Sequence, residues 1–510
     1  MGEHKQLAVN MVCSLVSFAI NVGIGLLLTP YVVANIGAEA YGFVGLANNM
    51  ITYAQLLTVA LNSVAGRFIT VAYHQGDYAR AHRYYSSTLA ANGCMVAVLM
   101  VVGIPVVVFL DRLVNISPHL VGDVKTLFAF IFLNFAITTI SNVWTVAAFV
   151  KNKLYLTSLA NMAYGFTRVV VMVLMFGLMP PKVFYVGLAV CLGNVLMTNI
   201  NHVNSRRLLP EFKFRREDVA WRSIVEMISA GAWNILVKAQ QILMFGIQLL
   251  VANLMVSPYL MGMLSIAQTI PNQISGMIYN ISSLFFPKQT QYYAQDNKER
   301  LLAELRSGMK ISGFFANVIG VTLVSIGPVF LRLWQPGQDT RLLYWLLLLC
   351  LCSLHISGVA VTLQNLPMIV NRLKWSSLAW LIYSIVSAVL LVVLVKVLPA
   401  WGVFLIASIP ALSEVLANIT FVPLYASHII GVKWYTFYTV YVRYFLSTAV
   451  AIGVCFMISR FVPGIMGWIP MIAMCCVYAL VTAVVDALLL LGRAEHRLLI
   501  DLLKRKLLHR

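Results

Sequence analysis

Charge is sparse in this sequence, and negative charge most of all: 10% of the 510 residues are charged and only 17 are Asp or Glu. A soluble protein carries roughly 25% charged residues, so the shortage excludes an ordinary water-soluble fold. It also leaves no paired-carboxylate motif: Asp111 and Asp123, in the longest outside connector near 111–124, do not form one. Membrane transferases and polymerases need an acidic site or a sizeable outside loop, and neither is present. The eight cysteines, Cys13, Cys94, Cys191, Cys350, Cys352, Cys455, Cys475 and Cys476, show no metal-ligand spacing with histidine. They read as small hydrophobes, so no metal site and no disulfide is expected. A Walker-type glycine loop is missing as well, which argues against direct ATP use. Long polar stretches are lacking, so no attached soluble domain is expected.

What is there is apolar. Hydrophobic residues make up 61% of the chain, in runs long enough to cross a bilayer, which takes roughly 20 residues per helix. The pattern predicts about fourteen spans. They lie near 7–29, 41–64, 85–110, 124–150, 155–179, 183–204, 224–256, 258–286, 308–332, 341–366, 374–398, 401–425, 436–460 and 468–491. An all-α polytopic membrane protein is therefore expected. The first span is too long for a signal-peptide core and is expected to be retained.

The net charge of +19 is unevenly placed. Lys5, the 66–84 loop, Lys151, Lys153, the 206–222 and 288–310 segments, Arg372, Lys374, Lys433, Arg443 and the tail fall on one set of alternating connectors. The other set holds only Arg112, Lys125, Lys182, Arg332, Arg341, Lys396 and Arg460. Basic residues accumulate in cytoplasmic loops, so both termini are expected in the cytoplasm, which requires an even number of crossings. The basic balance then reports topology and contact with membrane lipid headgroups, with no nucleic-acid partner implied. The tail 493–510 is basic and amphipathic and is expected along the inner leaflet.

The chain repeats itself. At an offset of 218, Val33-Ala34-Asn35 falls on Val251-Ala252-Asn253, Gln55 on Gln273 and Asn62 on Asn280. At 219, Asn152-Lys153-Leu154 meets Asn371-Arg372-Leu373, and Asn199-Ile200 meets Asn418-Ile419. Two parallel copies of six spans are predicted: an amino-terminal lobe at 1–205 and a carboxy-terminal lobe at 224–430, joined by an amphipathic interfacial helix at 206–223. The last two spans (431–492) and the tail lie outside the duplication.

Polar groups recur on single faces of the apolar spans. Asn10, Ser14, Ser17, Asn21 and Gly25 share a face of the first, and Asn48, Thr52, Gln55 and Asn62 a stripe of the second. The fifth carries Thr157, Asn161, Tyr164 and Arg168; the seventh Asn234, Lys238, Gln241 and Gln248; the eighth Ser265, Gln268, Asn272 and Ser283, with Gln273 and Asn280 close by. Such groups serve either as hydrogen bonds between helices or as the lining of a wet cavity, and stripes this long favour the cavity. Arg168 and Lys238 sit mid-span, where a basic residue costs roughly 2.5–3.5 kcal/mol and usually marks a substrate or ion path. An internal ion pair with Glu414 is the competing reading. Glu414, one turn before Asn418, is the main acidic group within a span; Asp486 and His355 are weaker candidates. Amides and hydroxyls match sugar hydroxyls, and Lys and Arg match phosphate oxygens. The set points to a ligand that is part sugar and part phosphate, bound without a cofactor.

Residues 28–83, with Thr29-Pro30 at a span end, Gly37-Ala38-Glu39-Ala40-Tyr41-Gly42, Arg67-Phe68 and Gly76-Asp77, resemble the start of Wzx-type polysaccharide flippases. The resemblance extends more loosely over all the spans. That family shares a superfamily, MOP, with MATE exporters and lipid II flippases. It implies two six-helix lobes in a V around a central cavity, with two peripheral helices. It also implies an undecaprenyl-pyrophosphate-linked oligosaccharide as substrate, moved from the inner to the outer leaflet of a bacterial plasma membrane, with a polymerase and assembly proteins as partners. Arg67 matches the family's basic residue by position, whereas a typical acidic residue deep in the first span is missing. Coupling to H+ or Na+ would fall to Glu414 and Asn418. The alternative is a MATE-type small-molecule antiporter. A non-enzymatic function is expected either way.

Overall fold

The computed structural model describes residues 3–461, 467–492 and 495; the rest of the amphipathic tail lies outside them. Helices follow one another as α1 (Glu3–His74), α2 (Tyr78–Val108), α3 (Leu110–Leu113), α4 (Val121–Val150), α5 (Tyr155–Leu178), α6 (Phe184–Leu208) and α7 (Trp221–Gln241). Next come α8 (Gln248–Met255), α9 (Pro258–Ser283), α10 (Phe286–Ala294), α11 (Lys298–Trp334) and α12 (Thr340–Gln364). The series ends with α13 (Leu366–Ile369), α14 (Leu373–Val397), α15 (Gly402–Ile419), α16 (Phe421–Ile430), α17 (Tyr438–Phe461) and α18 (Trp468–Leu489). No strand occurs among the described residues.

Twelve of the described helical segments are long and apolar enough to cross a membrane. One of them, Val12–His74, runs for 63 residues, or about 95 Å if straight, roughly three times the hydrocarbon core. It holds two crossings, separated at Gly37, whose φ of 81° breaks the helix. The polar α9, 26 residues long, supplies the remaining predicted span. The polytopic all-α architecture expected from the hydrophobic runs is thus the architecture found.

Corners are encoded locally, and they recur. Asp77 accepts from the Arg80 amide at 2.9 Å at the start of α2, and Asn297 does the same for Arg300 at 3.1 Å at the start of α11. Asn152 and Asn371, matched in the sequence repeat, both adopt positive φ, at 52° and 54°. Asparagine tolerates that region better than most residues.

Residues 206–223 differ from expectation. The stretch holds only the end of α6, a short 3-10 turn at Arg216–Asp218 and the start of α7; no interfacial helix forms. Pro210 disfavours helical geometry at the residue before it. Leu209 and Phe212 then turn inward and are almost fully buried, with the Phe212 ring 4.6 Å from that of His82 and 5.4 Å from that of Tyr85.

The chain forms two compact units, residues 1–266 and 267–510. Leu61, Ile69, Tyr84, Phe212, Ile224 and Met227 pack into one core of the first. In the second, Leu305, Met309, Leu363, Tyr441 and Tyr444 form a core, and α17 and α18 pack on α11. The seventh span, placed by sequence in the carboxy-terminal copy, packs against α1 and α2 in the first unit. Units and sequence copies therefore do not share a boundary. Close contact at Gly231 explains the attachment: a Cβ there would collide with the Ala60 carbonyl oxygen. In lipid, helix association depends on such close packing and on hydrogen bonds between helices.

Candidate functional site

In the first unit the site is built on α7 and the second half of α1. Gly231 meets Ala60, and one turn on, Asn234 Nδ2 donates to Ser63 Oγ at 2.9 Å. Further along, the helix widens into a π turn at Ile242–Gly246. The Gly246 carbonyl there accepts from Tyr53 Oη at 2.6 Å and Asn49 Nδ2 at 2.9 Å. These fixed points set the register and bring Lys238 and Gln241 level with Gln55. Lys238 and Gln55 are half-buried and Gln241 is exposed.

The ion pairs among the described residues are Arg80–Glu226, Lys125–Asp111, Lys182–Asp123 and Lys310–Glu495. Neither Lys238, Arg168, Arg67 nor Glu414 belongs to any of them. Within the first unit, neither Lys238 nor Arg168 meets a carboxylate among the described residues. Arg168 lies over the Tyr164 ring, 5.4 Å from its centroid, and its buried Nε has no hydrogen-bond acceptor. Asn161, one turn before Tyr164, is exposed. Arg67 is exposed and lines an open pocket with Phe68, Gln75, Arg80 and Tyr84.

Other stripe amides are spent on packing. Asn62 and Asn92 exchange side-chain hydrogen bonds at 3.1 and 3.0 Å, and Asn92 also donates to the Thr139 carbonyl at 2.9 Å. Asn21 donates to the Ser17 carbonyl of its own helix at 2.8 Å. Asn62, Asn234 and Asn21 thus bind helix to helix, or one helical turn to the next. Gln55, Asn161 and Gln241 have no such role among the described residues.

In the second unit, α12 and α15 are joined by a polar chain. Ser357 Oγ donates to Glu414 Oε1 at 2.6 Å, and Asn418 Nδ2 donates to Ser357 Oγ at 3.0 Å. Gln364 Nε2 donates to Asn418 Oδ1 at 2.7 Å, and Tyr441 Oη donates to the Asn418 carbonyl at 2.9 Å. The structure thus brings Glu414 and Asn418 together through Ser357, a residue that sequence reading did not select. Ser357 and Gln364 are seven apart on α12, the only sequence signal of their shared face. Gln273 is half-buried and Asn280 exposed on α9.

No protein-family model matches the chain. The uncharacterized membrane protein EpsK of Bacillus subtilis is 29% identical over 499 residues, spanning 96% of this chain and 97% of its own. Among solved structures, lipid II flippase MurJ in its inward closed conformation matches 94% of this chain and 98% of its own, with a TM-score of 0.71 and 12% identity. An inward-facing multidrug-resistance MATE transporter of the MOP superfamily covers 84% of this chain and 97% of its own, with a TM-score of 0.58 and 14% identity. The fold is that of MOP-superfamily transporters. The chain is a multi-pass membrane protein, and its structural neighbours are transporters and flippases.

Proposed function

We propose that this protein is a flippase for an undecaprenyl-pyrophosphate-linked oligosaccharide, carrying the repeat unit of a surface polysaccharide from the inner to the outer leaflet of a bacterial plasma membrane by alternating access. The observation that carries the reading is Lys238: a half-buried cation within a span, without a carboxylate partner among the described residues. Keeping an unpaired charge there is costly, and a pyrophosphate is a ligand that repays the cost. Arg168, with its idle buried Nε, and Arg67 add two more cations. Gln55, Asn161, Gln241, Gln273 and Asn280 offer amides suited to sugar hydroxyls. Support also comes from the fold, since MurJ is by name a lipid II flippase, and from the motif resemblance in residues 28–83. The charge bias of the connectors supports cytoplasmic termini. A polymerase and assembly proteins would act on the delivered product.

The test is deletion and complementation. Loss of the gene should remove the surface polymer and leave lipid-linked oligosaccharide in the inner leaflet. Wild type should restore export, while Lys238→Ala and Arg168→Ala should not, although both reach the membrane. Full polymer with both variants would overturn the reading.

A second reading, a MATE-type cation-coupled small-molecule antiporter, draws on the MATE-like fold and on the Glu414 chain. It requires drug sensitivity on deletion and a greater effect from Glu414→Gln than from Lys238→Ala. In the flippase reading, Glu414 and Asn418 would couple transport to H+ or Na+.

A further inference from the structure

Asp486 lies in the last turn of α18 and bonds to none of the side chains of the networks described above. Its side chain is fully buried. Oδ1 accepts from Asn317 Nδ2 at 2.6 Å and from Ser447 Oγ. Oδ2 is buried too, and no described residue donates to it.

Around this carboxyl three helices, α11, α12 and α17, supply a graded polar shell. Asn317 Oδ1, from α11, accepts from Thr448 Oγ1 at 2.9 Å and lies 3.3 Å from His355 Nε2 of α12. The His355 carbonyl accepts from Tyr444 Oη at 2.8 Å. The imidazole sits against Gly320, where a Cβ would collide with the ring. A fixed place has thus been cleared for His355.

No basic side chain pairs with Asp486 among the described residues. The nearest basic residue of α11, Lys310, is seven residues from Asn317 and is engaged by Glu495 at 3.2 Å. His355 is the titratable group facing the site from α12 and Tyr444 that from α17; Arg443, next to Tyr444, is exposed. In α18 Asp486 is the only charged residue. An ionised carboxylate in such a place, with one oxygen unpaired, carries a heavy desolvation cost. A carboxyl kept only to pack helices would spend both oxygens on donors, as Asp486 does not.

We propose that Asp486, Asn317, Ser447, Thr448 and His355 form a buried binding site for one monovalent cation, a proton or Na+, at Asp486 Oδ2. Its occupancy fastens α17 and α18 to α11 and α12. No charged residue has to move for the site to fill. A proton needs only Oδ2, whereas Na+ would draw on Oδ2, Ser447 Oγ, Thr448 Oγ1 and Asn317 Oδ1 as oxygen ligands.

The two occupants are separable in full-length protein reconstituted in lipid vesicles with choline as the only other cation. Infrared spectroscopy at neutral pH reads the proton as a carboxylic-acid C=O band that disappears in Asp486→Asn. Radioactive Na+ reads the metal as one ion bound per protein, with affinity reduced at least tenfold in Asp486→Asn. Either result supports the site and names its occupant. Ser447→Ala is the milder variant should Asp486→Asn fold poorly: it should shift the acid band or weaken Na+ binding by about tenfold, roughly the value of one hydrogen bond to a charged group. A carboxylate signature without Na+ uptake, or an acid band and Na+ binding unchanged in both variants, overturns the proposal.

Discussion

Tyr53 donates its phenol hydrogen to the Gly246 carbonyl at 2.6 Å, closing the π turn of one helix with a side chain from another. A π turn leaves carbonyls without their usual helical donors and is frequent at functional sites. Here Tyr53 and Asn49 satisfy the same oxygen. Tyr53→Phe and Asn49→Ala should each cost about 1 kcal/mol, seen as a lower unfolding midpoint. Together they should let the turn relax and change the rate at which a thiol reagent modifies Gln241→Cys. An unchanged rate in the double variant would show that the turn is held by its own helix.

Lys238 separates folding from transport. Because it has no hydrogen-bond or ion-pair partner among the described residues, Lys238→Ala removes a cost instead of breaking a pair. Its unfolding midpoint should stay within about 2 °C of wild type, while export falls at least about tenfold. Parallel measurement of melting and surface polymer checks both halves. A large loss of stability would mean that the ammonium is structural.

Asn62 and Asn92 predict the reverse. Their reciprocal amide bonds belong to helix association, for which hydrogen bonds in membranes average about 0.6 kcal/mol and reach about 1.7. Asn62→Ala should destabilise by an amount in that range while transport per folded molecule persists. A double-mutant cycle with Asn92→Ala should show coupling of similar size. Export lost without loss of stability would return Asn62 to the substrate path.

Glu495 makes docking of the segment after α18 acid-sensitive. Burial pushes its carboxyl up, but the Ser307 hydroxyl, Lys310 and the Gly492 amide outweigh that and hold it below its ordinary 4.5. Ser307 Oγ donates to Oε1 at 2.7 Å and the Gly492 amide to Oε2 at 2.8 Å. A lowered value means stability present above pH 4.5 and lost as pH falls through the depressed value. Hydrogen exchange at residues 490–492 should accelerate below about pH 4.5. Glu495→Gln should accelerate it already at neutral pH; equal protection in both proteins would show that the contact contributes nothing.

The fold was legible because each span is a local property: a run of apolar side chains of sufficient length. Corners were legible where one residue decides the geometry, as at Asn152 and Asn371. Glu414 and Asn418 were found because spacing of four places them on one face. Ser357 and Gln364 were not, since the face of α12 that meets α15 is set by packing. The stripes were read as a class, yet Asn62 and Gln55 on the same stripe differ in fate. That difference rests on Asn92, 30 residues away on α2, which no periodicity reveals. The 206–223 connector is amphipathic in composition, yet Pro210 keeps Leu209 out of helical geometry, and Leu209 and Phe212 are buried.

Asn152 and Asn371 carry a practical consequence. Both hold a backbone angle that β-branched side chains resist and glycine accepts freely. A residue series introduced at one corner should therefore rank in the same order at the other. A shared ranking would make the mutational tolerance of these two corners a record of common descent.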